Sequence, residues 1–255
     1  MEDTMESTRY GVKTNDFSSP SSIAQMQAMI DARLAEMNTD DTWKERSREY
    51  DRRTAHARRA ARGVPERFLD ATLSGWAPDS QDKAKAKAEL LSWVSMLGRP
   101  GAPSLVIRGA NGTGKTWAAC GILNDRLDGL YTGEGLDNRR VPEMEGQYIT
   151  AKGYTDKVKA TYRGGATETE KQVLDAYADV PLLVLDEVGR QFDTENERNY
   201  LFELINERYN RHRQTALLSN LDGEEFRAFM GPAVMDRLAE GSRGALVFNW
   251  PSLRT

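Results

Sequence analysis

Residues 109–116 read Gly109-Ala110-Asn111-Gly112-Thr113-Gly114-Lys115-Thr116, which satisfies the spacing G-x-x-x-x-G-K-[ST]. The apolar run SLVIR (104–108) precedes it, and a helix-forming run over 115–130 follows. A buried strand, a glycine-rich turn and a helix in that order make a phosphate cradle. The glycines let successive backbone N–H groups face one anion, and the helix adds the positive end of its dipole. Lys115 is expected to reach the β- and γ-phosphates, and the Thr116 hydroxyl to hold Mg²⁺. The rival reading, a chance match in a glycine-rich loop, does not explain the strand before it or the helix after it. ATP or ADP with Mg²⁺ is therefore the expected cofactor, bound by Gly109, Asn111, Gly112, Thr113, Gly114, Lys115, Thr116 and Trp117.

Further along, apolar runs alternate with helical ones. QYIT (147–150), PLLVLD (181–186), TALLS (215–219) and ALVFNW (245–250) read as strands. A helical stretch interrupted at Gly164-Gly165 follows the first, helix covers 195–212, and two short helices follow Ser219. Residues 131–147 form a Gly-, Glu- and Asn-rich loop. Strands separated by helices imply an α/β fold whose parallel sheet is covered on both faces. Asp186 and Glu187 close the second of these strands, a costly place for two carboxylates unless a cation or a water is there to be served. Asp186 is expected to hold Mg²⁺ with Thr116, and Glu187 to polarise the water that attacks the γ-phosphate. Asn220, delivered after TALLS to the ligand-facing edge of a parallel sheet, reads either as a turn residue or as a group that orients that water.

The first sixty residues have a different character. Residues 1–22 are polar and end in SSPSS, a disordered lead-in. From 23, Ile23, Met26, Ile30, Leu34 and Met37 form a narrow apolar helical seam. Residues 44–62 carry eight Lys/Arg against Glu45, Glu49 and Asp51. Gly63 and Pro65 close this helical arm, leaving 63–255 as the main domain. The balance of 35 Lys+Arg against 39 Asp+Glu does not announce a nucleic-acid binder as a whole. One cysteine (Cys120) and two histidines exclude a disulfide framework and a Cys- or His-rich metal site. No apolar run is long enough for a membrane span, and the N-terminus lacks a signal-peptide pattern, so the chain is expected in the cytoplasm.

GANGTGKT, LLVLDEVG, ERNYLFELINERYNRHRQTALLSNL and VMDRL, with GVPERFLDATLSGW (63–76) and FNWPSLR (248–254), together resemble the DnaC-type replicative helicase loaders of the AAA+ ATPases. The resemblance covers 63–255. It implies an AAA+ P-loop NTPase fold with a five-stranded parallel sheet. Lys115 and Thr116 match Walker A, Asp186 and Glu187 match Walker B, and Asn220 matches sensor 1. Arg237, in VMDRL, matches the arginine finger that reaches a neighbouring subunit's ATP, which implies self-association through an ATP interface. Many AAA+ proteins carry a helical lid after the sheet. Here only five residues follow Trp250, so none is expected, and Arg254 is a weak candidate for a substitute sensor.

In such loaders the segment between the second strand and Walker B resembles an insertion that lines a path for single-stranded DNA. Lys152, Lys157, Lys159, Tyr162 and Arg163 lie there, cations with an aromatic as a sequence-tolerant strand binder requires. A solvated helix face explains them equally well without the resemblance. The implied function is ATP-dependent loading of a hexameric replicative helicase, docked through the 23–62 arm, onto single-stranded DNA at replication initiation. An IstB-like transposition helper is the alternative within the same group. A P-loop small-molecule kinase is a third reading, and it lacks an Arg-rich lid.

Overall fold

The computed structural model describes residues 28, 31, 41–99, 101–128, 143–189, 195–240 and 244–253. The seam at Ile23, Met26, Ile30, Leu34 and Met37, the lead-in 1–22, most of the 131–147 loop and Arg254 lie outside them. In order, the elements are α1 (Asp41–Ala61), a single 3₁₀ turn (Glu66–Phe68), α2 (Gln81–Val94), β1 (Leu105–Gly109), α3 (Lys115–Leu127), β2 (Gly146–Thr150), α4 (Ala151–Ala160), α5 (Glu170–Ala178), β3 (Leu182–Val188), α6 (Glu195–Asn210), β4 (Gln214–Ser219), α7 (Gly223–Ala239) and β5 (Ala245–Phe248). Contacts divide the chain between Arg53 and Thr54, so the last two turns of α1 belong to the same compact unit as the sheet. The two short helices expected after Ser219 are the two halves of α7, which meet at a kink where Gly231 leaves the helical conformation (φ 69°) before Pro232.

All four strand pairings are parallel, in the order β2-β3-β4-β1-β5. The apolar runs follow from this. A parallel strand is covered on both faces, so successive residues bury in opposite directions. Leu105, Ile107, Leu182, Val184, Ala216 and Leu218 face a core shared with α2 and α3. Val106, Leu183, Leu185 and Leu217 face a second core built with α4, α5, α6 and α7. Among the described residues no helix follows β5, and none is long and apolar enough to cross a membrane.

Two adjacent polar residues of α3 hold the stretch before α2. Asn124 Nδ2 donates to the carbonyls of Phe68 and Ala71 at 2.9 and 2.8 Å. Asp125 Oδ2 accepts the Leu73 N–H at 2.9 Å. Asp128, three residues on, pairs with Arg58 and Arg59, which ties the end of α1 to the same helix. Burial raises Asp125 from its ordinary 3.8 to about 6, against the opposing pull of the Leu73 N–H and Arg59. The folded chain therefore keeps a proton there that the unfolded chain sheds. The stability linked to that proton is complete below the ordinary carboxylate pKa and is lost as pH rises through about 6. Asp125→Asn is expected to remove this component, flattening the change in urea midpoint between acid and neutral pH by an amount worth about 1–3 kcal/mol. Parallel curves for the two proteins would exclude it.

Candidate active site

β3, β4 and β1 are neighbours, and their registers align their C-terminal ends. Ser219 is level with Arg108 on one side and with Val188 on the other. The glycine loop after β1, the acidic pair in β3 and Asn220 after β4 therefore open on one sheet edge, the edge where parallel sheets take ligands.

The loop keeps its shape through its glycines. Gly109, Gly112 and Gly114 have φ of 151°, 81° and 92°. A Cβ on Gly109 would stand 2.3 Å from the Phe248 carbonyl oxygen, so no other residue fits against β5 there. Gly114 caps α3 without a side-chain hydrogen bond, so the helix presents its first N–H groups to an anion. Lys115 lies across the loop and donates to the carbonyls of Gly109 and Ala110 at 2.7 and 2.8 Å. Thr113 is buried, Asn111 exposed, and Trp117 half-buried beside Trp76.

Thr116 Oγ1 donates to Asp186 Oδ2 at 2.8 Å, so residues seventy apart in sequence meet in one contact. Tyr148 OH donates to the same oxygen at 2.9 Å, and the Glu187 N–H to Asp186 Oδ1 at 2.6 Å. Asp186 is 5% exposed, so these donors supply what water cannot. Burial, and then the charge of Asp186, push the Tyr148 phenol well up, which keeps it a donor. Tyr148 was not an expected site residue. It lies on β2, whose pairing sets Tyr148 opposite Val184 and Thr150 opposite Asp186, and that adjacency is invisible until the strand order is known. Burial and Asp186 also push up the thiol of Cys120, which is fully buried in α3.

Glu187 follows with φ 57°, in the left-handed region, where the β3–β4 register shifts between Leu185 and Val188. Such a conformation in a non-glycine residue costs roughly 1–3 kcal/mol and persists only where the surroundings impose it. A hydroxyl in contact with a carboxylate is a hard oxygen donor pair that fits Mg²⁺, which keeps most of its shell as water and phosphate oxygen. Among the described residues no group of three His, Cys, Asp or Glu is arranged to hold a metal by itself.

Not every expected residue gathers at this edge. Arg237 lies on α7, where Nη1 donates to the Ala233 carbonyl at 3.1 Å and the guanidinium stands 5.8 Å from the Tyr209 ring. It lines a cavity of about 420 Å³ with Tyr209, Arg213 and the Pro103-Ser104 approach to β1. That is the opposite end of the sheet from the loop. Lys152, Lys157 and Lys159 lie on α4, and Tyr162 and Arg163 on the turn after it. Lys152 pairs with Asp156 at 2.8 Å, Lys159 pairs with the buried Glu197, and Tyr162 donates to Glu170. Lys157 and Arg163 are exposed.

Known proteins resemble this chain. It is 32% identical to the replicative helicase loader DnaC of Escherichia coli (strain K12) over 152 residues, which is 60% of this chain and 56% of that protein. It is 30% identical to the replicative helicase loader DnaC of Buchnera aphidicola subsp. Baizongia pistaciae over 151 residues, 59% of this chain and 56% of the relative. The chain thus spans little more than half the length of the curated relatives it matches. In fold it resembles the crystal structure of the DnaC helicase loader, with a TM-score of 0.59 and 20% identity over 72% of this chain and 99% of that one. It also resembles the replication initiator DnaA bound to AMPPCP and single-stranded DNA, with a TM-score of 0.53 and 19% identity over 73% of this chain and 50% of that one. A sequence model described as IstB-like ATP binding protein matches residues 42–243, most of the chain, and the chain belongs to that family.

Proposed function

We propose that this chain is an ATP-dependent loader of a hexameric replicative helicase onto single-stranded DNA, acting in the cytoplasm. The observation that supports the chemistry best is the contact of Thr116 with Asp186, with Glu187 next in the chain and Asn220 directly after the adjoining strand. Backbone N–H groups of the loop and Lys115 hold the β- and γ-phosphates. Thr116 and Asp186 hold Mg²⁺, which when bound neutralises phosphate charge. Glu187 takes a proton from the attacking water, and Asn220 orients that water. Tyr148 fixes the Asp186 carboxylate by donating to one of its oxygens. Arg237, far from its own loop, serves the ATP of a neighbouring subunit, so hydrolysis depends on self-association.

The relatives' names support the helicase as partner. Docking is assigned to the 23–62 arm on the strength of its apolar seam, and contact with single-stranded DNA to the α4 segment, where Lys157 and Arg163 are exposed. The family description favours one second reading, a transposition helper that meets a transposase. The deciding experiment is co-purification with a hexameric helicase of the full chain and of its Ile30→Asp/Leu34→Asp variant, each with ATP and a single-stranded circle. Retention of the helicase by the full chain, lost at least ten-fold in the variant, is expected. Equal retention by both removes docking from the arm, and failure of the full chain to retain the helicase overturns the reading.

A further inference from the structure

The segment after β5 forms neither strand nor helix, yet hydrogen bonds hold it against the phosphate loop. Trp250 is 9% exposed, and its indole Nε1–H donates to the Thr113 carbonyl at 2.9 Å. Three residues on, the Leu253 N–H donates to the Gly112 carbonyl at 2.8 Å. Two successive carbonyls of the phosphate loop are thus taken by one short stretch of chain from across the sequence. The same stretch fits the loop closely. A Cβ on Gly114 would stand 3.4 Å from Leu253 Cδ1. Trp250 in turn is held by an aromatic stack, its ring 4.5 Å from that of Phe248 and 6.3 Å from that of Trp76.

The direction of these bonds matters. In a phosphate loop the N–H groups must converge on the anion, which requires the carbonyls to turn outward. An outward carbonyl that is buried needs a donor. Thr113 is 1% exposed, so its carbonyl finds one in Trp250. We infer that residues 249–253 are a strap that preorganises the phosphate loop, with Trp250 and the Leu253 N–H as positioning groups for nucleotide binding. Both groups meet the loop from its carbonyl side. Each acts through a peptide unit whose N–H side the phosphate uses. The inference rests on the ATP-site reading above and adds a determinant of affinity that the glycine loop alone does not contain.

The consequence is a loss of affinity without loss of chemistry. Trp250→Phe keeps the ring in the stack and removes the donor. Leu253→Pro removes the second donor at a half-exposed position, where the fold has little to lose. Each variant is expected to bind Mg·ATP and Mg·ADP about three- to ten-fold more weakly, the worth of one hydrogen bond. KM for ATP should rise by the same factor while kcat at saturation stays within about two-fold, because the water-activating residues are untouched. Affinities are measured by titration with a fluorescent ATP analogue, and unfolding midpoints without nucleotide are recorded beside them. Affinity for both nucleotides within two-fold of the unaltered chain, in folded variants, overturns the strap. So does a fall in kcat with KM unchanged. Should Trp250→Phe fail to fold, Leu253→Pro decides alone. If the unaltered chain binds no nucleotide, the ATP-site reading itself has failed, an outcome distinct from equal binding by all three proteins.

Discussion

Glu187→Gln is expected to bind ATP and Mg²⁺ as the unaltered chain does and to turn over about 100-fold more slowly or worse, the share of a general base in such a reaction. The amide keeps the shape of the side chain and its left-handed backbone (φ 57°), so the fold is not taxed. It removes only the carboxylate assigned to take the proton. Steady-state phosphate release, with binding measured separately by an ATP analogue, checks the result. A turnover within three-fold of the original would remove Glu187 from the mechanism. Lys115→Ala contrasts with it, since that change strikes the phosphates and should appear first as weak binding. The two variants together separate holding the nucleotide from cleaving it.

Arg208→Met is expected to cost at least about 3 kcal/mol of stability, a large part of the 5–15 kcal/mol that holds a typical domain. Arg208 is 1% exposed, and among the described residues no carboxylate lies within ion-pair distance of it, although Asp179 is near enough to act on its charge. Its guanidinium instead donates to the carbonyls of Val180 at 2.8 Å and Gln214 at 2.6 Å, and to that of Tyr177, while Nε donates to Thr215 Oγ1 at 2.8 Å. Burial, with Arg213 nearby, draws its pKa down to about 9. Methionine fills much of the volume and satisfies none of these acceptors. The residue joins the end of α5, the entrance to β3 and the start of β4, so it fixes the relative height of the two strands that deliver Asp186 and Asn220. Urea unfolding of the variant measures the loss. A midpoint shift worth less than 1 kcal/mol would show that water or neighbouring groups replace the guanidinium.

What could be read from the sequence was local. The glycine loop, the acidic pair and the apolar strands each announce themselves within eight residues, and a parallel sheet then forces their ends together. α2 was not announced. Its opening residues, Lys83 to Ala88, alternate lysine with alanine and carry no helical apolar stripe. Its burial rests on Leu90, Leu91, Trp93 and Val94 at the far end. Tyr148, Trp250 and the Asn124–Asp125 pair were also missed, because each acts on a partner more than thirty residues away. Such pairings follow from strand order and register, which no single window contains. The α4 cations show the opposite limit. The resemblance assigned five residues here to contact with single-stranded DNA, and the fold engages Lys152 and Lys159 in ion pairs and Tyr162 in a hydrogen bond to Glu170.

Cys120 gives the molecule a built-in clock. It is the one cysteine in the sequence, it is fully buried in α3 beneath the phosphate loop, and burial holds its thiol protonated. A thiol reagent can reach it only when that helix parts from the sheet. Its labelling rate therefore counts openings of the nucleotide cradle, one molecule at a time, with no engineered probe. Anything that braces the cradle, such as a bound nucleotide, slows the clock by the factor through which it stabilises the closed form.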